Sequence, residues 1–543
     1  MSNSESRGSW NSRFTFILAA IGSAVGLGNA WRFPGLCAKY GGGAFLMVYF
    51  VMMLIMGIPL LMMEIAIGRR MHGGAPTALK GANKKFEFIG WAGTTNAFFI
   101  VTYYAVVFAW VILMCVCCYK FGQITGASDA AAQASNIWLD KIGYGKSPIS
   151  IFVVVCLIVA WGLIYYCIRN GAKSVGKVVK YTVFLPVICL IIMAIKGLTM
   201  SGAMEGMKAL FVPKFASLSN PNLWVDAIGQ VFYSLSIMMV IMIAYGSFLK
   251  DDANIAKDSM IIAFSDAGTS LLASIVMFST MYGLNLEGNM TDSGIGTAFI
   301  VYPAAIVNLT SNGIINAIFA FIFYFCLCTL AIDSAFSIVE GVATSVSDRL
   351  KLNKKKTTIF TCIIAGIISI VFATSKGLDY LDTVDHWCNA FNLILVGIAE
   401  TIALGWFFKT SKVLDEVNKN TKKFKMPSWW FEASIKVISP VLLSGLFIWN
   451  LVDLFRGGGL YGGYSVANNI IFGWMLTFLM ILMCFLYKFI IKKREAQGVD
   501  LNDPSWDEIE ERESIATSED VNEIEENDTN DSENDLEASA IEL

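Results

Sequence analysis

Charge is what this chain has least of. Lys, Arg, Asp and Glu together make up 15% of its 543 residues, where soluble domains carry about a quarter. Hydrophobic residues reach 56%, which excludes an ordinary soluble globule and implies a polytopic membrane protein. Histidine is scarcer still: His72 and His386 are the only two, too few for a histidine-based metal centre. No cysteine spacing reads as a zinc motif, and Cys115, Cys117, Cys118, Cys326 and Cys328 all fall inside apolar runs. Cysteine there acts as a small apolar residue, so no structural disulfide is expected. Enzyme chemistry has little footing. With a formal net charge of −3, no nucleic-acid partner is expected either.

What the chain does have is long apolar runs. They lie near 14–37, 43–68, 88–119, 149–168, 178–198, 222–248, 257–284, 311–344, 357–374, 387–408, 431–453 and 466–491, and they predict about twelve membrane-spanning helices, numbered here as spans 1 to 12. Residues 1–12 are polar and short, so the first run reads as a retained span and not a cleaved signal. Basic residues crowd alternate loops: Arg69, Arg70, Lys84 and Lys85 after span 2, Arg169, Lys173, Lys177 and Lys180 after span 4, and Arg349, Lys351 and Lys354 after span 8. These loops and both termini are therefore expected in the cytoplasm, in a multi-pass protein of the plasma (cell inner) membrane. Composition divides the chain into a cytoplasmic amino-terminal segment (1–12), a membrane domain (13–494) and an acidic tail (495–543), which is expected to be disordered.

The membrane domain is organised around Ser23-Ala24-Val25-Gly26-Leu27-Gly28-Asn29-Ala30-Trp31-Arg32-Phe33-Pro34. A spanning helix has no need of two glycines beside Ser23 and Asn29 at its centre. In hydrocarbon the backbone opens only where the freed N–H and C=O groups find partners or line a cavity, so a break over Val25 to Gly28 would mark a site. Released carbonyls would hold a small cation, and N–H groups of the next half-helix an anion. The alternative is that the glycines only let another helix pack closely.

With Arg32-Phe33-Pro34 and Gly41-Gly42-Gly43-Ala44-Phe45 following, this segment closely resembles the neurotransmitter:sodium symporter family. The resemblance implies an all-α polytopic membrane protein with the LeuT fold, a 5+5 inverted repeat in about twelve transmembrane helices, with spans 1 and 6 broken at the site. It implies sodium-coupled symport of an amino acid by alternating access. Span 6 carries Gly229-Gln230-Val231-Phe232-Tyr233-Ser234-Leu235-Ser236, span 7 Asp266-Ala267-Gly268-Thr269-Ser270, and span 8 Leu330-Ala331-Ile332-Asp333-Ser334. By resemblance, a first sodium is assigned to Ala24, Asn29, Ser234 and Asp266, and a second to Gly22, Val25, Leu330, Asp333 and Ser334. Substrate falls to Ser23, Ala24, Gly26, Leu27, Gly28, Ile100, Tyr104, Phe232, Tyr233, Ser234, Ser236, Met239, Ser334 and Ile338. Arg32 with Asp385 matches an outer gate, and Arg7 with Asp348 an inner one, with Trp10 beneath the broken helix. Gly176 and Pro186 match a segment of span 5 that unwinds to admit water.

Three departures refine this. Relatives that carry amines have aspartate where this chain has Gly26, which argues for an amino acid, and the uncharged Ile100, Tyr104, Phe232, Met239 and Ile338 around its side chain make a neutral, apolar one the expected substrate. Asp266 stands where relatives have asparagine, beside Tyr49, Gln230, Ser234 and Ser270, which match the chloride pocket of chloride-dependent members. Two anions so close repel at low dielectric, so the carboxylate is expected to replace chloride. After Ser234-Leu235, where many relatives have glycines, come Ile237, Met238, Met239 and Val240, which makes an unwound turn less obvious in span 6. Two other readings stay open: a proton-coupled carrier using Asp266 and Asp333, and a non-transporting receptor or sensor on the same fold. The oligomeric state is not legible.

Overall fold

The computed structural model describes residues 9–515, apart from 147, 292, 422 and 423. Within them the backbone is almost wholly helical, with extended pairing limited to two isolated bridges, Gly42 to Pro213 and Ile149 to Thr374. Ten helices are long and apolar enough to cross a membrane, and eleven if the bent pair formed by Arg13–Ala24 and Leu27–Tyr40 is one span. The remaining expected span, the sixth, is split into Pro221–Ser234 and Ile241–Gly246, each too short to cross alone.

Span 1 bends by 59° between its halves. Val25 leaves the helix at ψ 92°, Gly26 is extended (φ −120°, ψ −166°), and the Asn29 carboxamide oxygen accepts the Gly26 N–H at 2.9 Å. That bond satisfies one donor the break sets free. The two explanations of the glycines divide between them. Gly26 sits in the break, whereas a Cβ on Gly28 would come within 2.5 Å of the Tyr233 ring, so Gly28 serves close packing.

Span 6 unwinds through residues that rarely adopt its conformation. Ser236, Met238 and Val240 have φ of 53°, 63° and 59°, which costs about 1 kcal/mol or more for each non-glycine residue. The turn is held from outside. Glu64 of span 2 accepts the Met238 N–H at 2.6 Å, and the Ser236 hydroxyl donates to the Ser23 carbonyl at 3.0 Å. Below it, spans 2 and 6 touch backbone to backbone: a Cβ on Gly68 would lie 2.0 Å from the Ile243 carbonyl, and one on Gly246 2.5 Å from that of Ile65. Such contact fixes the inner half of span 6 to span 2. Span 5 is interrupted at Val183, between Ala172–Thr182 and Phe184–Leu198, inside the Gly176 to Pro186 stretch.

The acidic tail departs from expectation over its first part. Leu501 and Trp506 are buried, and residues 506–515 are helical. Arg349 and Lys80 donate to the Leu501 carbonyl at 2.9 and 3.0 Å, Arg70 pairs with Glu513 at 2.6 Å, and Trp506 lies under the Arg70 guanidinium. Disorder therefore does not begin at residue 495: this stretch carries two apolar anchors and acids that meet buried or half-buried cations. Residues 516–543 lie outside the described ones, as do residues 1–8.

Candidate functional site

The first intramembrane carboxylate is fully enclosed and fully served. Asp266 accepts from the Asn29 amide at 2.6 Å through Oδ1, and from Ser234 at 2.7 Å and Tyr49 at 3.2 Å through Oδ2. The Asn29 amide nitrogen also faces Ser234 Oγ at 3.1 Å, Ser270 Oγ at 2.8 Å and the Asp266 carbonyl at 3.4 Å. It has two hydrogens for four acceptors. An oxygen-rich cluster of this kind around one anionic side chain suits a Group 1 cation. Asn29, Ser234 and Asp266 thus converge as the sequence suggests, with Ala24 at the adjoining break. Of the anion-pocket residues, Tyr49, Ser234 and Ser270 gather around Asp266 and Asn29. Gln230 makes no hydrogen bond to them: its amide is buried with neither oxygen nor nitrogen bonded among the described residues, and its nitrogen lies 3.9 Å from where a Cβ on Gly28 would be.

The second carboxylate is enclosed and almost unserved. Asp333 is 2% exposed, yet its Oδ1 has no hydrogen-bond partner among the described residues. The nearby Thr182 hydroxyl donates to the Val178 carbonyl at 3.3 Å. A Cβ on Gly22 would stand 2.7 Å from Asp333 Oδ2 and 3.0 Å from the Val183 side chain, so Gly22 is where the broken helix touches this acid. Ser334 Oγ lies 3.4 Å from the Ser23 carbonyl, which brings the turn of Val25 against that of Leu330. A buried carboxylate without donors costs several kcal/mol unless a cation compensates it. Asp333 therefore carries a strong demand for a cation.

Between the two acids lies the candidate substrate position. A Cβ on Gly26 would be 2.7 Å from Ser334 Oγ and 3.5 Å from the Tyr104 hydroxyl. The Tyr104 hydroxyl is buried and makes no hydrogen bond among the described residues, though the Leu27 amide and Ser334 lie close by. Ser23 Oγ faces Ser236 Oγ at 3.4 Å. Ile100, Phe232, Met239 and Ile338 are all buried, and Tyr233 partly so. None of these five side chains carries charge, and only Tyr233 among them is polar.

The two gates fare differently. Arg32 and Asp385 are near enough to interact through space, but they make no direct ion pair in the described residues. Arg32 lies over the Tyr233 ring at 5.9 Å, and Asp385 Oδ1 accepts from Asn389 at 2.9 Å. The expected contact pair is thus replaced by a cation–π contact and an amide. At the other end, Asp348 accepts the Gly74 N–H at 2.9 Å, while Arg7 lies outside the described residues. Trp10 is 3% exposed, and its indole N–H donates to the Tyr245 carbonyl at 3.0 Å.

Two contacts escaped the sequence reading. Glu64, which clasps the unwound turn of span 6, could have been found by asking why an apolar span carries an acid. The bidentate pair of Arg13 with Asp258, tying span 1 to span 7, could not, because nothing in either local sequence indicates the other.

Comparison with known proteins agrees with this geometry. The sodium:neurotransmitter symporter family matches residues 7–124 and 139–495. A sodium-dependent transporter of Methanocaldococcus jannaschii is 33% identical over 501 residues, spanning 90% of this chain and 98% of that protein. Human sodium- and chloride-dependent GABA transporter 2 is 29% identical over 82% of this chain and 80% of its own length. The solved structure of MhsT in complex with L-phenylalanine superposes with a TM-score of 0.70 at 26% identity, covering 81% of this chain and 99% of MhsT. Broken spans 1 and 6, two buried aspartates beside them and a match over nearly the whole membrane domain lead to one assignment: the chain belongs to the sodium:neurotransmitter symporter family, as a sodium-dependent, multi-pass membrane transporter of LeuT fold.

Proposed function

We propose that the protein carries a neutral, apolar amino acid into the cell together with two sodium ions and without chloride, by alternating access. It sits in the plasma membrane with both termini in the cytoplasm. The observation that carries the substrate reading is the meeting of Gly26, Ser334 and the unbonded Tyr104 hydroxyl. A substrate carboxylate lying against the N–H groups of Leu27 and Gly28 would accept the Tyr104 O–H and complete the shell of the first sodium. Gly26 brings no carboxylate that could hold an amine, and a Cβ there would press on Ser334 Oγ at 2.7 Å. Ile100, Phe232, Met239 and Ile338 would take the side chain, and Ser23 and Ser236 the amine. The phenylalanine bound to MhsT accords with an apolar amino acid.

The two sodium ions are cargo with distinct seats. The first would be held by Ala24, Asn29, Ser234, Asp266 and the substrate, so the amino acid and this ion help to bind one another. The second would be held by Gly22, Val25, Leu330, Asp333 and Ser334 and would join the end of the first half of span 1 to span 8. Asp266 supplies inside the protein the negative charge that chloride brings to chloride-dependent members. Arg32 with Asp385, and Arg7 with Asp348, would close the outer and inner paths in turn. The test is uptake of radiolabelled amino acids into proteoliposomes, with and without an inward sodium gradient. Uptake of apolar amino acids driven by sodium is the expected result. Equal uptake driven by a pH gradient without sodium would instead favour proton coupling through the same two acids, and no uptake of any amino acid would favour a receptor.

A further inference from the structure

Span 8 carries a third acid that the transport site does not use. Glu340 is fully buried, seven residues beyond Asp333 on the same helix, Gly313–Arg349. Seven residues are close to two turns, so both carboxylates occupy one face about 10 Å apart, with Glu340 nearer the end closed by Trp10. Hydroxyl groups line the interval. Ser337 Oγ bonds the Asp333 carbonyl at 2.6 Å and the Tyr245 hydroxyl at 2.6 Å, and Thr344 lies one turn beyond Glu340.

Glu340 has a single charged partner. Its Oε1 is 3.1 Å from Lys354 Nζ, while Oε2 is buried with no hydrogen-bond partner among the described residues. Lys354 starts span 9 (Lys354–Ser369) and its side chain is one-third exposed. The ammonium also contacts Thr344 Oγ1 and lies 5.8 Å from the centre of the Phe248 ring. Phe248 in turn packs edge-on against Trp10 and accepts its backbone N–H at 3.3 Å. The cation on Glu340 is therefore bordered by the residues that plug the inner path, and opening that path must uncover it.

We infer that Glu340 is a third cation seat, a relay that receives the sodium leaving Asp333 on its way to the cytoplasm, with the Lys354 ammonium occupying it while the inner path is closed. The inference rests on the reading of Asp333 as the second sodium site. A carboxylate in these surroundings needs a cation at all times, and a lysine on a flexible, partly solvated stem is one that can be exchanged. When Trp10 withdraws, Lys354 swings to water. Glu340, with hydroxyl oxygens on both sides, then offers a departing sodium the hard ligands it requires.

Equilibrium binding of radioactive sodium to the purified full-length protein, at mildly alkaline pH, tests this without measuring transport. Lys354→Met keeps the stem but removes the competing ammonium, so this variant should bind one more sodium per protein than the wild type. Lys354→Met with Glu340→Gln, a neutral pair that leaves no buried charge alone, should return to the wild-type number. An unchanged number in Lys354→Met, or an extra ion that persists in the double variant, overturns the relay. Asp333→Asn separates the underlying reading: it should lose one sodium in both the wild-type and the Lys354→Met background. Failure there refutes the second sodium site while leaving the Glu340 comparison readable.

Discussion

Asp266 and Asp333 are both buried aspartates next to the break in span 1, and the protein treats them in opposite ways. Asp266 receives three side-chain donors, from Asn29, Ser234 and Tyr49. Asp333 has one oxygen, Oδ1, without any partner among the described residues, a glycine against the other, and only the Thr182 hydroxyl nearby as a donor. Donors stabilise a carboxylate whether or not a cation is present. An acid so served can remain as a fixed charge through every state of a cycle, whereas one with a bare oxygen depends more on what it binds. The difference suggests a division of labour: Asp266 is a permanent part of the site's electrostatics, and Asp333 is the group whose occupancy decides whether the structure around span 1 holds together.

The comparison is broken most severely by removing the unserved acid. Asp333→Ala should abolish sodium-driven uptake, because losing one partner of a buried charge pair costs about 3–5 kcal/mol, more than a hundredfold in sodium affinity at about 1.4 kcal/mol per tenfold. It should also remove most of the rise in melting temperature that sodium gives the purified protein, since a ligand stabilises only the form that binds it. A variant that melts normally but keeps its sodium-induced shift would show that Asp333 is not the group sodium relies on.

A smaller effect, but a sharper one in sign, is expected at the served acid. Wild-type uptake should be unaffected when chloride is replaced by gluconate at constant sodium. Asp266→Asn keeps the shape and an oxygen, yet removes the charge, while Tyr49, Ser234 and Ser270 remain as donors for an external anion. Uptake by this variant should be low without chloride and recover several-fold when chloride is added. Chloride dependence in the wild type would mean that Asp266 does not supply the site's negative charge.

How much of this was legible in the sequence follows the same distinction between local and distant causes. The break in span 1 was legible because Gly26 and Asn29 announce it within four residues, and both aspartates were legible because an acid amid apolar residues needs a reason. The unwound turn of span 6 was legible only through the family resemblance. Ile237, Met238, Met239 and Val240 read as helix, and the group that holds the turn, Glu64, lies 174 residues away. The docked part of the tail was hidden likewise. Its acidic composition looks like a solvated segment, and its partners Arg70, Arg349 and Lys80 belong to three separate places in the chain. Arg32 and Asp385, nominated by motif for one gate, lie within reach of each other, with Arg32 over the Tyr233 ring and Asp385 on Asn389.

The smallest expected effect, and the closest test of the difference between the two acids, comes from Ser234→Ala. The Ser234 hydroxyl donates to Asp266 at 2.7 Å and accepts from Asn29 at 3.1 Å, so it is at once a donor to the fixed charge and a proposed ligand of the first sodium. Without it, Asp266 still receives Asn29 and Tyr49, and the lost hydrogen bond is worth about 1–2 kcal/mol. The protein should fold, and the sodium concentration for half-maximal uptake should rise by roughly five- to thirtyfold if that energy is felt only by the bound state. The charge itself is untouched, so uptake by this variant should stay indifferent to chloride, unlike that of Asp266→Asn. Measuring the two variants side by side, each with chloride and with gluconate, separates loss of a ligand from loss of a charge. If Ser234→Ala came to require chloride, the site's anion behaviour would be set by its hydroxyl donors and not by the carboxylate, and the contrast between Asp266 and Asp333 would reduce to one of packing.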